Sequence, residues 1–121
     1  MKFLRIKARN FRILFRTVTV LLKEETMFPA LVVSGVLTLI ASDLLGISYS
    51  EWLIVLVVMG AVLATELLNS AIEELCDHVT PEEHPRVGKV KDIAMSASAL
   101  INICALIVGC LIFIPRLIAL L

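Results

Sequence analysis

Three long apolar runs constrain this chain more than any other feature of its sequence. Residues 27–42 carry no charge and can continue as a helix to position 45, residues 52–65 form a second uncharged run, and residues 93–114 form a third. Because a helix needs about 20 mainly apolar residues to cross a bilayer, we predict an all-α membrane protein with three transmembrane helices, at 27–45, 52–72 and 93–114. The whole chain, 1–121, then forms a single membrane domain.

Composition argues against other classes of protein. Of the 121 residues, 60% are hydrophobic and 18% are charged, a balance that a soluble domain of this size does not keep in water. The formal net charge is zero, so no excess of positive charge favours nucleic acid as a partner. The three cysteines fit neither a disulfide framework nor the spacing of a metal site.

The segment 1–24 has a periodicity of its own. Arg5, Arg9, Arg12 and Arg16 recur at helical spacing on one side, and apolar residues occupy another. The apolar set consists of Leu4, Ala8, Phe11, Phe15, Val18 and Leu22. The pattern predicts an amphipathic surface helix whose basic side lies against anionic lipid headgroups.

Lysine and arginine also indicate the orientation of the spans. Seven of the eleven precede the first span, none lies in the first loop, three lie in the second loop at 73–92, and one follows the third span. Since loops rich in Lys and Arg stay on the cytoplasmic side, we expect the N-terminus and the loop 73–92 to be cytoplasmic. The protein is then multi-pass, with its C-terminus outside.

The end of the second span carries polar residues on one face. In a continuous helix Glu66, Asn69, Glu73 and Asp77 lie along one stripe, because they are three or four residues apart. An ionised carboxylate costs about 2.5 to 3.5 kcal/mol at mid-bilayer on insertion scales, so one retained there usually has a function. The alternative is a structural ion pair. Spans one and three offer Glu66 no Lys or Arg, but the alternative stays open for Glu73 and Asp77.

Glu25, just before the first span, is expected at the same cytoplasmic level as Glu73. Two such carboxylates suit Mg²⁺, which prefers oxygen ligands and often joins one or two carboxylates to the phosphates of a nucleotide. The alternative is that Glu24 and Glu25 are ordinary charges at a helix start.

Any nucleotide site in this chain is of an unusual kind. The loop 73–92 contains no Walker A motif and no glycine-rich loop after a strand. Lys91, beside Asp92 at the start of the third span, can bind phosphate oxygens as a point charge. The alternative is that Lys91 is one of the basic residues that keep this end of the span on the cytoplasmic side. His78 and His84 lack the spacing of two metal ligands on one helix, so we interpret both as ordinary polar residues of a loop.

A known family carries the same polar pattern. The chain has ELLNSAIE at 66–73, then Asp77, His84-Pro85 and Lys91-Asp92 at ungapped spacing. This pattern resembles the prokaryotic diacylglycerol kinases, a family that also includes undecaprenol kinases. The resemblance runs from Glu25 to the end of the chain.

The resemblance implies a homotrimer in the bacterial inner membrane that transfers the γ-phosphate of MgATP to the hydroxyl of diacylglycerol or undecaprenol. It implies that Glu66 is the general base on that hydroxyl and that Glu25 and Glu73 hold Mg²⁺. The other implied roles are nucleotide contact for Glu82, His84, Lys91 and Asp92, and support of the site for Asn69 and Asp77. The residue types suit these roles, because a carboxylate at membrane depth accepts a proton and cations offset phosphate charge.

The chain departs from the family pattern at three places. Thr17 stands where members often have Gly, Pro29 begins an apolar stretch in place of a polar run, and Met95 stands where small residues are common. These positions concern the lipid entrance, so the sequence leaves both lipids open. The pair His84-Pro85 is similar to the Gram-positive and related branches, where undecaprenol is the usual substrate.

Two other functions are compatible with these residues. A small membrane bundle or proton-coupled transporter can use Glu66 as a buried titrating carboxylate, although it has no use for Glu73, Asp77, Lys91 and Asp92. A regulatory homologue without turnover also fits. ATP consumption by the purified protein with a lipid alcohol separates the three.

Labelling of single cysteines tests the predicted orientation. In a background without Cys76, Cys104 and Cys110, a cysteine at Glu83 should react with an impermeant thiol reagent only after cells are opened, whereas one at Ser48 should react in intact cells. The reason is that ten Lys and Arg residues lie on the predicted cytoplasmic side and one lies outside. Labelling of position 83 from outside would overturn both the orientation and the ATP-dependent kinase, because cellular ATP could not reach the site.

Overall fold

The part of the chain that the structure describes forms four α-helices joined by short connections. The computed structural model describes residues 1–80, 82 and 84–121, and its helices are α1 (Lys2–Glu24), α2 (Met27–Leu45), α3 (Tyr49–Val79) and α4 (Pro85–Leu120). The described residues contain no strand. By length and composition α2, α3 and α4 are each able to cross a membrane. The predicted all-α fold, with three spans and an N-terminal helix, is confirmed.

The chain divides into two compact units, Met1–Leu39 and Ile40–Leu121. In the first unit α1 has no buried residue. The rings of Phe11 and Phe15, one turn apart, have centroids separated by 5.3 Å, and the ammonium group of Lys7 lies 5.5 Å from the ring centroid of Phe3. A basic helix with exposed aromatic side chains is typical of one whose apolar side enters the lipid interface.

Local signals determine the turn from α2 into α3, in the second unit. Gly46 has a φ of +63°, and the amide of Ile47 beyond it donates to the carbonyl of Ser42 at 3.3 Å. This is the Schellman arrangement, in which a glycine in the left-handed region ends a helix. Ser48 then starts α3 with a capping box: the Glu51 amide donates to the Ser48 hydroxyl at 3.2 Å, and the Ser48 amide donates to the Glu51 carboxylate at 3.1 Å.

α3 and α4 pack against each other. Side-chain contacts join them at successive levels: Lys91 with Asp77, Ser98 with Glu66, and Arg116 with Glu51. Because the residue numbers on α4 increase from contact to contact while those of their partners on α3 decrease, the two helices are antiparallel. Side chains more than thirty residues apart in sequence are therefore neighbours at the second and third levels.

Arg116 closes the end of the helix pair that lies near Gly46. Its guanidinium group donates to the carboxylate of Glu51 and, at 3.1 Å, to the backbone carbonyl of Gly46. The same Glu51 oxygen accepts the Ser48 amide, so one carboxylate joins the start of α3 to the last turns of α4. We call this contact the Arg116–Glu51 clamp. A small buried apolar cluster in the same unit consists of Ile47, Val55 and Ile112.

α3 and α4 are longer than one crossing requires. They have 31 and 36 residues, which is about 46 and 54 Å of helix against about 30 Å of hydrocarbon. The segment 73–92, predicted as a cytoplasmic loop, is helical at 73–79 and 85–92, and Pro81 and Glu83 within it lie outside the described residues. The membrane boundaries at 52–72 and 93–114 stay predictions.

α4 continues through Pro115 instead of ending there. Proline lacks an amide hydrogen and interrupts the hydrogen bonding of the preceding turn. The helix nevertheless runs to Leu120, and Arg116 within that last stretch belongs to the clamp. The uncharged run predicted as the third span ends at position 114, but the helix does not end there.

A double-variant cycle tests the Arg116–Glu51 clamp. Arg116→Gln and Glu51→Gln should each lower the midpoint of thermal unfolding in detergent, because each removes a charge-assisted hydrogen bond between the helices. The double variant should be scarcely less stable than the less stable single variant, since both changes break one contact. Arg86→Gln changes an exposed arginine at the other end of α4 and should leave the midpoint unchanged. Additive losses would show that the two residues do not act as a pair.

Candidate functional site

Glu66 is half-buried where α3 meets α4. Its Oε2 accepts a hydrogen bond of 2.9 Å from the hydroxyl of Ser98 on α4, and Ser98 is itself only 9% exposed. Among the described residues no Lys or Arg forms an ion pair with Glu66. A neutral donor therefore holds this carboxylate, and the structural ion pair considered for it is not formed within the described part of the chain.

Asn69, one turn beyond Glu66 on α3, is buried. Its side-chain carbonyl oxygen has no hydrogen-bond partner among the described residues. Leaving a buried acceptor unsatisfied costs about 1–3 kcal/mol, so such an oxygen normally receives a donor from water, a ligand or another chain. Since residues three apart on a helix are neighbours, this buried acceptor lies on the same face of α3 as Glu66.

Lys91 pairs with Asp77 nearer the connection between α3 and α4. Its ammonium nitrogen lies 2.5 Å from Oδ1 of Asp77, and the two side chains are 35% and 67% exposed. The carboxylate of Glu73, one turn earlier on α3, also attracts this ammonium group. An ion pair this exposed adds little stability. Its effect is to hold the ammonium group at the exposed end of the polar stripe, and the ion pair considered for Asp77 is thus formed.

His84 caps the start of α4. Its Nδ1 accepts the amide of Arg86 at 3.2 Å, and Pro85 occupies the first turn. Glu82 and Asp92 are exposed, as His84 is. The four residues predicted to contact a nucleotide therefore lie at or near the start of α4, and an ion pair with Asp77 orients Lys91.

Glu25 belongs to the first compact unit, Met1–Leu39. It is the C-cap residue of α1, its amide donates to the carbonyl of Leu21 at 3.0 Å, and it is half-buried. The part of the chain that the structure describes holds no cluster of three or more His, Cys, Asp or Glu side chains arranged to bind a metal ion by themselves. The Mg²⁺ site predicted for Glu25 and Glu73 stays a prediction.

Sequence reasoning missed Ser98. A serine within a run of small residues gives no signal alone, because most such hydroxyls bond to their own helix. One signal was present: Ser98 follows Lys91 by seven residues, which is two helical turns and puts both on one face of α4. Once Lys91 is matched with Asp77, that face is the one that meets Glu66.

Comparisons with known proteins agree on one family. The model of the family "Prokaryotic diacylglycerol kinase" matches residues 12–113, a range that contains every predicted site residue. The chain is 34% identical over 95 residues to the undecaprenol kinase of Bacillus subtilis strain 168, covering 78% of this chain and 77% of that protein. It is 37% identical over 75 residues to the diacylglycerol kinase of Pseudomonas aeruginosa, covering 62% and 61%.

The fold and the site define a class: a helical membrane protein in which two packed helices carry a stripe of carboxylates, a buried amide and a lysine paired with a carboxylate. The two relatives that the chain matches are named as an undecaprenol kinase and a diacylglycerol kinase. The chain belongs to the prokaryotic diacylglycerol kinase family. It is therefore a membrane lipid kinase, and the transporter alternative is set aside.

Proposed function

We propose that the protein transfers the γ-phosphate of MgATP to the hydroxyl of a membrane lipid, with Glu66 as general base. The observation that carries the proposal is the state of this carboxylate: it is half-buried in an apolar helix and held by a serine hydroxyl, with no cation paired to it among the described residues. A carboxylate that no cation neutralises keeps its capacity to accept a proton. In a lipid kinase, the proton to be accepted is that of the lipid hydroxyl.

The spacing along α3 suits two substrates that come from different phases. Glu66 precedes Asp77 by eleven residues, which is about 16 Å along the helix axis. Glu66 therefore lies deeper along the helix than the exposed pair of Lys91 and Asp77. A lipid hydroxyl approaches Glu66 from the bilayer, and a nucleotide approaches Lys91 from the water.

In the proposed mechanism Glu66 removes the hydroxyl proton as the lipid oxygen forms a bond to the γ-phosphorus. The bond between that phosphorus and the β–γ bridging oxygen breaks, and ADP leaves. Lys91 neutralises charge on the phosphates as a point cation, oriented by Asp77. Asn69 offers the unpartnered carbonyl oxygen beside Glu66 to the donor of an incoming group. The remaining nucleotide contacts in this proposal come from Glu82, His84 and Asp92.

Glu25 and Glu73 are the residues that we propose for Mg²⁺. Their oxygen donors fit the ion, and one or two carboxylates suffice when the nucleotide's phosphates supply further ligands. Glu73 is half-buried one turn from the Lys91–Asp77 pair. When bound, the ion offsets the charge that develops on the transferred phosphoryl group. The two glutamates serve to bind and orient, and they take no part in the proton transfer.

We propose undecaprenol as the preferred lipid and diacylglycerol as the second candidate. The match to the undecaprenol kinase covers 78% of the chain and the match to the diacylglycerol kinase covers 62%. The sequence pair His84-Pro85 favours the same choice. The proposal also includes a homotrimer in the inner membrane, with the N-terminus and the α3–α4 connection cytoplasmic, and the distribution of Lys and Arg supports that orientation.

A lipid panel with labelled ATP tests the proposed reaction. The purified protein should transfer label to undecaprenol and, more slowly, to diacylglycerol in mixed micelles. Glu66→Gln should abolish transfer and leave a folded oligomer, because the amide keeps the shape and cannot accept the proton. The matched control is Glu74→Gln, an exposed glutamate on the same helix, which should keep normal turnover. Near-normal turnover of Glu66→Gln would remove Glu66 from the role of base.

Titration with magnesium tests the proposed metal ligands. Glu25→Gln and Glu73→Gln should each raise the magnesium concentration needed for half-maximal activity, or abolish activity, since each removes one hard oxygen ligand. Glu74→Gln again serves as the control with an unchanged requirement. If neither ligand variant alters the magnesium dependence, the assignment of Glu25 and Glu73 is wrong.

A further inference from the structure

The hydroxyl of Ser98 bonds to a side chain on the facing helix, whereas several other Ser and Thr hydroxyls bond to the backbone of their own helix. The hydroxyls of Thr19, Ser34, Thr38, Thr65 and Ser96 each donate to the backbone carbonyl four residues earlier in their own helix. That bond is the ordinary solution for a Ser or Thr in an apolar helix. Ser98 instead donates across the interface, from α4 to Oε2 of Glu66 on α3.

This bond restricts the orientation of the Glu66 carboxylate. The terminal torsion of a glutamate is broad, so a carboxylate without a fixed donor rotates freely about its last bond. The 2.9 Å bond to Ser98 holds Oε2, and Ser98 is itself held in a buried position, 9% exposed. With one oxygen fixed from the α4 side, the other oxygen of Glu66 has a defined direction.

We propose that Ser98 is a positioning residue for phosphoryl transfer, which aims the second carboxylate oxygen of Glu66 at the lipid hydroxyl. Ser98 acts through Glu66 and does not itself exchange a proton with the substrate. The inference rests on the proposed role of Glu66 as general base. It assigns a function to a residue outside the polar stripe of α3, on the facing helix.

The proposal differs from a purely structural role in what it predicts for the kinetic constants. A residue that aims the base affects the chemical step, so kcat falls while the KM for ATP stays unchanged. Lys91, at the nucleotide end, lies two helical turns from Ser98 on α4. A residue that only fastens α3 to α4 would change stability, and with it both constants together.

The test compares Ser98→Ala with Ser96→Ala. Ser96 lies on the same helix, is exposed, and bonds to the carbonyl of Asp92. We expect Ser98→Ala to lower kcat for undecaprenol about 10- to 100-fold, the range that corresponds to losing one hydrogen bond to a charged group, with the KM for ATP unchanged. Ser96→Ala should match the wild type, and Ser98→Thr, which keeps the hydroxyl, should recover most of the lost kcat.

Unchanged kcat in Ser98→Ala overturns the proposal. So does a joint loss of kcat, ATP affinity and unfolding temperature that Ser98→Thr does not repair, because that pattern belongs to a structural contact. If Ser98→Ala does not fold, the comparison passes to Ser98→Thr and Ser98→Val, which share a shape and differ in the hydroxyl. Equal kcat in those two then overturns it, and a kcat at least tenfold higher in Ser98→Thr supports it.

Failure of the proposed function gives a separate result. If the wild-type protein transfers no phosphate to any lipid alcohol, the kinase mechanism itself is wrong. If the wild type is active and Glu66→Gln is not, Glu66 stands as the base and the Ser98 variants decide the positioning role alone.

Discussion

The arrangement of the polar side chains in this protein depends on the packing of α3 against α4. In lipid, no hydrophobic force favours one apolar helix as a neighbour over another, so the pairing is decided by close packing and by interhelical polar contacts. Here Lys91 meets Asp77, Ser98 meets Glu66 and Arg116 meets Glu51. Each contact alone is modest in energy. Together they set one register, because a shift of either helix by one turn separates all three pairs.

The three contacts differ in what they are able to do. The Arg116–Glu51 clamp joins two charges to the start of α3 and to a backbone carbonyl, so its groups are fully engaged in structure. The Lys91–Asp77 pair is exposed and leaves its ammonium group accessible to a further anion. Glu66 lies between these levels with a neutral partner. One end of the helix pair therefore serves stability, and the chemistry that we propose occupies the other end and the middle.

Some alternatives left open by the sequence are decided by the partner that a side chain has in the structure. Glu66 has no cationic partner among the described residues, whereas Asp77 pairs with Lys91. The Nδ1 atom of His84 accepts a backbone amide in the first turn of α4. The polar stripe itself was predictable, since helical spacing alone aligns Glu66 with Asp77 on α3. What faces that stripe was not predictable, because Ser98 is 32 positions away from Glu66 along the chain.

The sequence by itself determined the class of fold, the number of spans, the capping of the α2–α3 turn and the family. These follow from uncharged length, from local signals such as Gly46 followed by the Ser48–Glu51 box, and from the motif at 66–73. Only the tertiary structure decided the register of α3 against α4, and with it the bond from Ser98 to Glu66. The physical reason is that hydropathy and helical period act along one helix, whereas the direction and partner of a polar side chain in an apolar environment depend on the helix beside it.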